Sequence, residues 1–219
     1  MVAAGARPVS AARSEILARI RTALGPTPSV PEVQRSYRGA GGHGEAGSSD
    51  VVDLFCERVS DYGVTVRRIR PEELDVAVSS ACAQRGVRLL VTPVGFPVPA
   101  DVGAIADDPR LSANELDALD GALTGCAVAI AETGTIALDG GPRSGRRALT
   151  LVPDYHLCIV EAHRILASVP DAVAALEEVA REGRPITWIS GPSATSDIEL
   201  ERVQGVHGPR TLDVLVVLD

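Results

Sequence analysis

The chain has 219 residues, 45% of them hydrophobic and 23% charged, enough for one globular domain with a sizeable core and an additional arm. Aromatic residues make up only 3%, so the core is aliphatic, and all 21 basic residues are arginine. A net charge of −8 argues against a nucleic-acid footprint and against an anionic membrane surface, while leaving room for a small anion held by a local arginine cluster.

In chain order, Ser10 to Leu24 reads as an amphipathic helix, with Ile16, Leu17, Ile20 and Leu24 at helical spacing and Gly25-Pro26 as its stop. Proline and glycine then dominate residues 25–49, which read as a linker joining an N-terminal helical arm (residues 1–49) to a domain over 50–219. From Val51 the pattern alternates. A helix is expected to Tyr62, a strand over Val64–Ile69, a helix from Pro71 to about Arg85, and a strand over Val87–Thr92. After a loop over Pro93–Pro99, Ser112 and Glu115 form a capping box opening a short helix to Leu119. Strands are expected at Cys126–Ala131, Thr135–Leu138, Ala148–Val152, Leu157–Val160, Ile186–Ile189 and Leu212–Leu218, and a helix over Pro170–Arg181. The class is α/β: a mixed, largely parallel sheet with helices on both faces and a meander inserted at its centre.

The stretch Ser190 to Glu199 follows a short strand. It offers Gly191 for close backbone approach, hydroxyls at Ser190, Ser193 and Thr195, and an S-x-x-E cap at Ser196 and Glu199. Asp197 and Glu199 would repel a phosphate from that first turn, so a hydroxyl-bearing ligand, or an anion met elsewhere by arginine, suits it better. Gly205-Val-His-Gly-Pro-Arg210 supplies His207, a residue type suited to act as acid or base, and Gly208 and Arg210; the arginine can clamp a carboxylate or pair with Asp197 or Glu199. Glu132-Thr133-Gly134-Thr135 interrupts an apolar run, and a carboxylate there is costly unless paired or facing a pocket. That makes Glu132 the leading candidate for chemistry, against a plain reading as the solvated rim of a turn. Arg143, Arg146 and Arg147 crowd one Gly/Pro loop, either as an anion-contacting flap or as a solvated loop. His156 and His163 are spaced too loosely to specify a metal site.

Cys56, Cys82, Cys126 and Cys158 lie far apart in apolar settings. They read as buried, reduced thiols rather than ligands of zinc or of an iron-sulfur cluster, and no cofactor or metal is expected. Residues 1–7 lack the apolar segment of a secretory signal, and no apolar run approaches ~20 residues, so a cytoplasmic location without a membrane span is expected.

Four segments in this order, Ala131–Ile136, Gly145–His156, Ile189–Glu199 and Gly205–Arg210, resemble the lactate utilization protein C family, or LUD domain, over roughly residues 50–218. The resemblance implies a fold akin to the sugar-isomerase and CoA-transferase-like proteins. It also implies a part in oxidising L-lactate to pyruvate beside two companion proteins that carry the iron-sulfur chemistry. Two roles follow from it: a non-redox subunit that binds partners and a small organic acid, or a free-standing enzyme. In the second, Glu132 acts as nucleophile or base, Thr133, Gly134, Thr135, Ser190, Gly191, Ser193, Thr195 and Asp197 hold the substrate, and His207, Gly208 and Arg210 assist.

Overall fold

The computed structural model describes residues 11–26, 32–195, 203–205 and 207–218. Two compact units divide the chain at Tyr37 and Arg38. The first carries α1 (Ala11–Leu24), whose Ile16, Ile20 and Leu24 side chains are exposed.

The second unit opens with α2 (Ser49–Ser60), β1 (Thr65–Ile69), α3 (Leu74–Arg85, entered through a 3-10 turn at Pro71–Glu73), β2 (Leu90–Thr92) and β3 (Ala104–Ala106). It continues through α4 (Ala113–Asp117), β4 (Gly121–Gly125), β5 (Val128–Ile130), β6 (Thr135–Leu138) and β7 (Tyr155–Glu161). It closes with β8 (Ile165–Leu166), α5 (Val169–Ala175), α6 (Glu177–Arg181), β9 (Thr187–Ile189), β10 (Ala194–Thr195), β11 (Val203–Gln204) and β12 (Thr211–Val217).

Six strands form a wholly parallel sheet in the order β1-β12-β7-β4-β2-β3. Its central strands are buried along almost their whole length, which explains their near-continuous apolar sequence. Alternate residues of β7 and β12 serve opposite layers, as the twofold period of a strand requires. Cys158, Val160, Val214 and Val216 pack with the Val51, Val52, Phe55, Cys56 and Val59 stripe of α2. Leu157, Ile159, Leu215 and Val217 pack with Ala77, Val78 and Ala81 of α3. Full burial of Phe55 alone contributes about 2–3 kcal/mol. Asp213 of β12 ties the sheet to α3 on this second side, accepting from Arg85 Nε (2.9 Å), Arg85 Nη2 (2.6 Å) and the Tyr155 hydroxyl (3.1 Å).

The expected meander is a separate four-stranded sheet, β8-β5-β6-β9, with antiparallel β5-β6 and β6-β9 pairs and a parallel β5-β8 pair. The Ser112–Glu115 capping box opens α4 as expected, with the Glu115 amide on Ser112 Oγ and the Ser112 amide on Glu115 Oε2. Three expectations change. Ala148–Val152 is not a strand: Arg147–Thr150 is a 3-10 turn whose Leu149 packs against Leu116 and Val91. The helix expected over Pro170–Arg181 breaks at Leu176 into α5 and α6. The linker expected over 25–49 ends earlier, because Arg38 pairs with Glu132, the Gly41 amide donates to Asp171 and the Gly47 amide to the Ile165 carbonyl.

The turn between β5 and β6 places Gly134 at φ +60°, where an added Cβ would lie 2.5 Å from the Val59 amide nitrogen and 2.6 Å from the Arg58 carbonyl carbon. Gly86, which caps α3 at φ +67°, has open space around it. Gly86→Ala is therefore expected to cost about 1 kcal/mol from conformation alone, and Gly134→Ala clearly more, at least about 3 kcal/mol, because backbone must move as well. Chemical denaturation of the two variants side by side checks this order.

Candidate functional site

The loop after β6 sends its three arginines to three different places. Arg143 reaches Glu161 at the carboxyl end of β7. Arg146 grips Asp107 through Nε (2.6 Å) and Nη2 (2.9 Å), and this pair, first through the guanidinium, holds the Asp107 carboxyl below its usual range. Arg147 has no carboxylate partner among the described residues. Its Nη1 donates to the Thr150 carbonyl (2.7 Å) and Oγ1 (3.2 Å), and its Nη2 to the His207 carbonyl (3.1 Å). Burial pushes the Arg147 pKa down, as it must for a cation withdrawn from water. The dense positive patch suggested by composition is thus two structural ion pairs and one charge without a counter-charge among the described residues.

Arg147 lines a cleft of about 220 Å³ together with Thr150, His156, Trp188, Ser190, Ser193 and Leu212. The cleft lies between β9 with the segment after it and the amino ends of β7 and β12. This is the edge opposite to the carboxyl ends at which open parallel sheets usually bind ligands. Backbone fixes its polar rim: the His207 amide donates to Ser193 Oγ (2.9 Å), the Ser193 amide to the Pro209 carbonyl (2.8 Å), and the Gly205 amide to the Ser193 carbonyl (2.8 Å). A hydroxyl chain leads away from it, Ser190 Oγ to Thr135 Oγ1 to Thr133 Oγ1, each step 2.8 Å. His156 is the polar side chain of the floor, fully buried, with Nε2 2.8 Å from Thr124 Oγ1. Burial, and then the Arg147 charge, push its pKa down to about 4.

Glu132 does not line this cleft. Its carboxylate takes both guanidinium nitrogens of Arg38, at 2.9 and 3.1 Å, and the Val169 amide at the start of α5, at 2.7 Å. Arg38 first, then the Val169 amide, hold its carboxyl below the usual carboxylate range. A general base working at neutral pH needs the opposite shift. The pairing expected of a carboxylate amid buried strands is met by the protein itself. His207 contributes backbone groups to the rim while its residue is exposed, and Arg210 pairs with Asp154 at 3.4 Å. Gly191, at φ +92°, makes its close approach to Tyr62 Cβ rather than to open space, and Gly208 sits against Ser193. Thr195 lies in β10, paired with β11; Ser196, Asp197 and Glu199 fall outside the described residues. Ser190, Gly191, Ser193 and Arg147 therefore come together at one cleft, with Thr133 and Thr135 joined to it by hydroxyls, and Arg143 and Arg146 are committed elsewhere. Sequence reasoning overlooked His156, Thr150 and Trp188 as cleft residues. The signal for His156 was present: a histidine inside the buried run Tyr155–Val160 is a polar group that needs a reason.

The family model described as the LUD domain matches residues 105–217, from β3 through β12, including Glu132, Arg147, His156, Ser190 and Ser193. A protein named lactate utilization protein C from Deinococcus radiodurans is 47% identical over 172 residues, covering 77% of this chain and 80% of that protein. The chain belongs to the lactate utilization protein C family, built on the LUD domain. An uncharacterised protein of Neisseria meningitidis is 29% identical over 94% of both chains. The crystal structure of a DUF162-family protein from Deinococcus radiodurans superposes with a TM-score of 0.67 at 42% identity, covering 77% of this chain and 97% of that one.

The His156 shift carries a sign. The folded state holds the imidazole neutral down to about pH 4, whereas the unfolded state takes up a proton near 6.5. Its contribution to stability is complete above pH 6.5 and is lost as pH falls from there to about 4, amounting to about 3 kcal/mol across that window. Urea denaturation at pH 7, 5.5 and 4.5 should show this decline, and His156→Gln should flatten it most clearly above pH 5, where carboxylates are still ionised.

Proposed function

We propose that this chain is a non-redox component of a cytoplasmic L-lactate utilisation system. It would act beside two iron-sulfur companion proteins that oxidise L-lactate to pyruvate, while binding them and a small organic acid. The lactate part of this reading draws on the relatives that bear the lactate utilization protein C name. The observation that carries the non-redox part is the placement of the cysteines. Cys56 in α2, Cys82 in α3, Cys126 after β4 and Cys158 in β7 are all buried and free within the apolar clusters; Cys126 and Cys158 adjoin each other, and Cys56 Sγ accepts from Arg68 Nε at 3.3 Å. Thiols held this way serve as small apolar residues, whereas cluster ligation needs thiolates converging on one exposed or semi-exposed point.

A second reading makes the chain a free-standing enzyme of the CoA-transferase and sugar-isomerase-like class, with Glu132 as nucleophile or base. The hydroxyl chain from Thr133 to Ser190 favours it by linking the Glu132 turn to the cleft. The Arg38 clamp weighs against it.

Co-expression with the two companions, purification through a tag on this chain and assay of lactate-dependent dye reduction test both. Under the first reading the companions co-purify, omission of the chain lowers activity, and Glu132→Gln leaves turnover within about twofold at equal protein level. Under the second, the same substitution lowers turnover by a factor of about 10² or more, the scale of a lost general base. Failure of the companions to co-purify, together with full activity in the chain's absence, would defeat the subunit role.

A further inference from the structure

We infer that the Arg147 cleft is a binding site for a small monocarboxylate, a 2-hydroxy or 2-oxo acid of three or four carbons, whose carboxylate is clamped by Arg147. This deepens the proposed function and rests on it only for the choice of L-lactate and pyruvate as first probes.

The guanidinium is the starting point. Arg143 and Arg146, four and one residues before Arg147 in the same loop, both meet carboxylates. Arg147, partly withdrawn from water, meets only a hydroxyl and carbonyl oxygens among the described residues. A partly buried cation without an anion is destabilising, and sequences retain such groups where a ligand supplies the missing charge. Three acceptors occupy at most three of the five guanidinium N–H groups. The two that remain match the number one carboxylate accepts in a bidentate pair.

The surroundings narrow the class. Among the described lining residues Arg147 is the one cationic group, because His156 stays neutral, so the charge balance suits a monoanion better than a phosphate monoester. Ser190 and Ser193 offer hydroxyls able to meet a hydroxyl or oxo oxygen next to a carboxylate. Trp188, Ile189, Pro209 and Leu212 form an apolar wall for a short alkyl group. The cleft, of about 220 Å³, has room for a short-chain acid.

Trp188 is the only tryptophan of the chain, so its fluorescence reports on this cleft. The full chain would be titrated with L-lactate, pyruvate, propionate and inorganic phosphate, followed by Trp188 emission and by calorimetry. The expected result is saturable binding of L-lactate or pyruvate, weaker binding of propionate, which lacks the 2-oxygen, and none of phosphate in the same range. Arg147→Gln should weaken binding about 10- to 100-fold, the loss expected for hydrogen bonds to a charged group, and should leave the melting temperature equal or higher. Arg184→Gln, which breaks a pair with largely buried Asp139 away from the cleft, should lower the melting temperature and leave affinity in the folded protein unchanged. Three outcomes would each overturn the inference: no saturable carboxylate binding, equal competition by phosphate, or an Arg147→Gln protein that melts lower and binds normally. The two claims fail separately. Binding without any effect of the chain on lactate-dependent dye reduction sinks the lactate role and keeps the site, and the converse keeps the role and sinks the site.

Discussion

Everything at the cleft depends on one insertion: β12 lying between β1 and β7 in the parallel sheet. Strand β1 has no other partner in the sheet, and the start of β12 beside the start of β7 places Leu212 and His156 side by side in register. The buried carboxylate of Asp213 locks that register, since it receives the Arg85 guanidinium from α3 and the Tyr155 hydroxyl from β7 at once. A slip of one residue would turn Asp213 into the opposite, apolar layer and move Leu212 and Val214 to the layer it left. The residues before β12 inherit this precision, and their amides and carbonyls fix Ser193 and one nitrogen of Arg147.

Charge is distributed by the same logic. This acidic chain commits Arg38, Arg85, Arg143, Arg146 and Arg184 to carboxylates that the fold has partly or fully buried. Such pairs add little net energy but are costly to leave half made, so they specify arrangement more than they stabilise. Against that background Arg147 and Arg67 are left, among the described residues, to carbonyl and hydroxyl oxygens, and of the two it is Arg147 that lines the cleft; departures from local consistency concentrate where proteins act rather than where they hold together.

Much of the fold was legible in the sequence. The α2 stripe, the Ser112 cap, β6, β7 and β12 follow from periodicity and turn chemistry, and the family resemblance follows from four segments in order. What stayed hidden has physical causes. Strand β4 reads Gly-Ala-Leu-Thr-Gly, with glycines that depress strand propensity, yet Gly121 is needed because a Cβ there would lie 2.8 Å from the Tyr155 ring. Strand β3 is three residues long, below the reach of any period. Ala148–Val152 is a short apolar run, and such runs fit a strand or a buried helical turn equally. The site was half visible for a different reason. Residue type and spacing singled out Arg147, Ser190, Ser193 and Glu132, but not their partners. Glu132 looked reactive because its counter-charge, Arg38, sits in a stretch that composition marked as linker. Arg147 looked like one of three equals because the carboxylates of the other two come from elsewhere in the chain, Asp107 just after β3 and Glu161 at the end of β7.

The pairing of β1 with β12 also has a consequence for how the chain is made. Thr65 finds its partner in Asp213, nearly the length of the domain later. During synthesis β1, α2 and α3 leave the ribosome early, but the strand that joins them to the rest of the sheet comes last. Until then one edge of β7 and the apolar faces of both helices lack their cover, a state open to chaperones and to association with other chains. Truncation shortly before β12 would not trim an edge. It would leave β1 without a sheet, and the cleft without the part of its wall that Leu212 supplies.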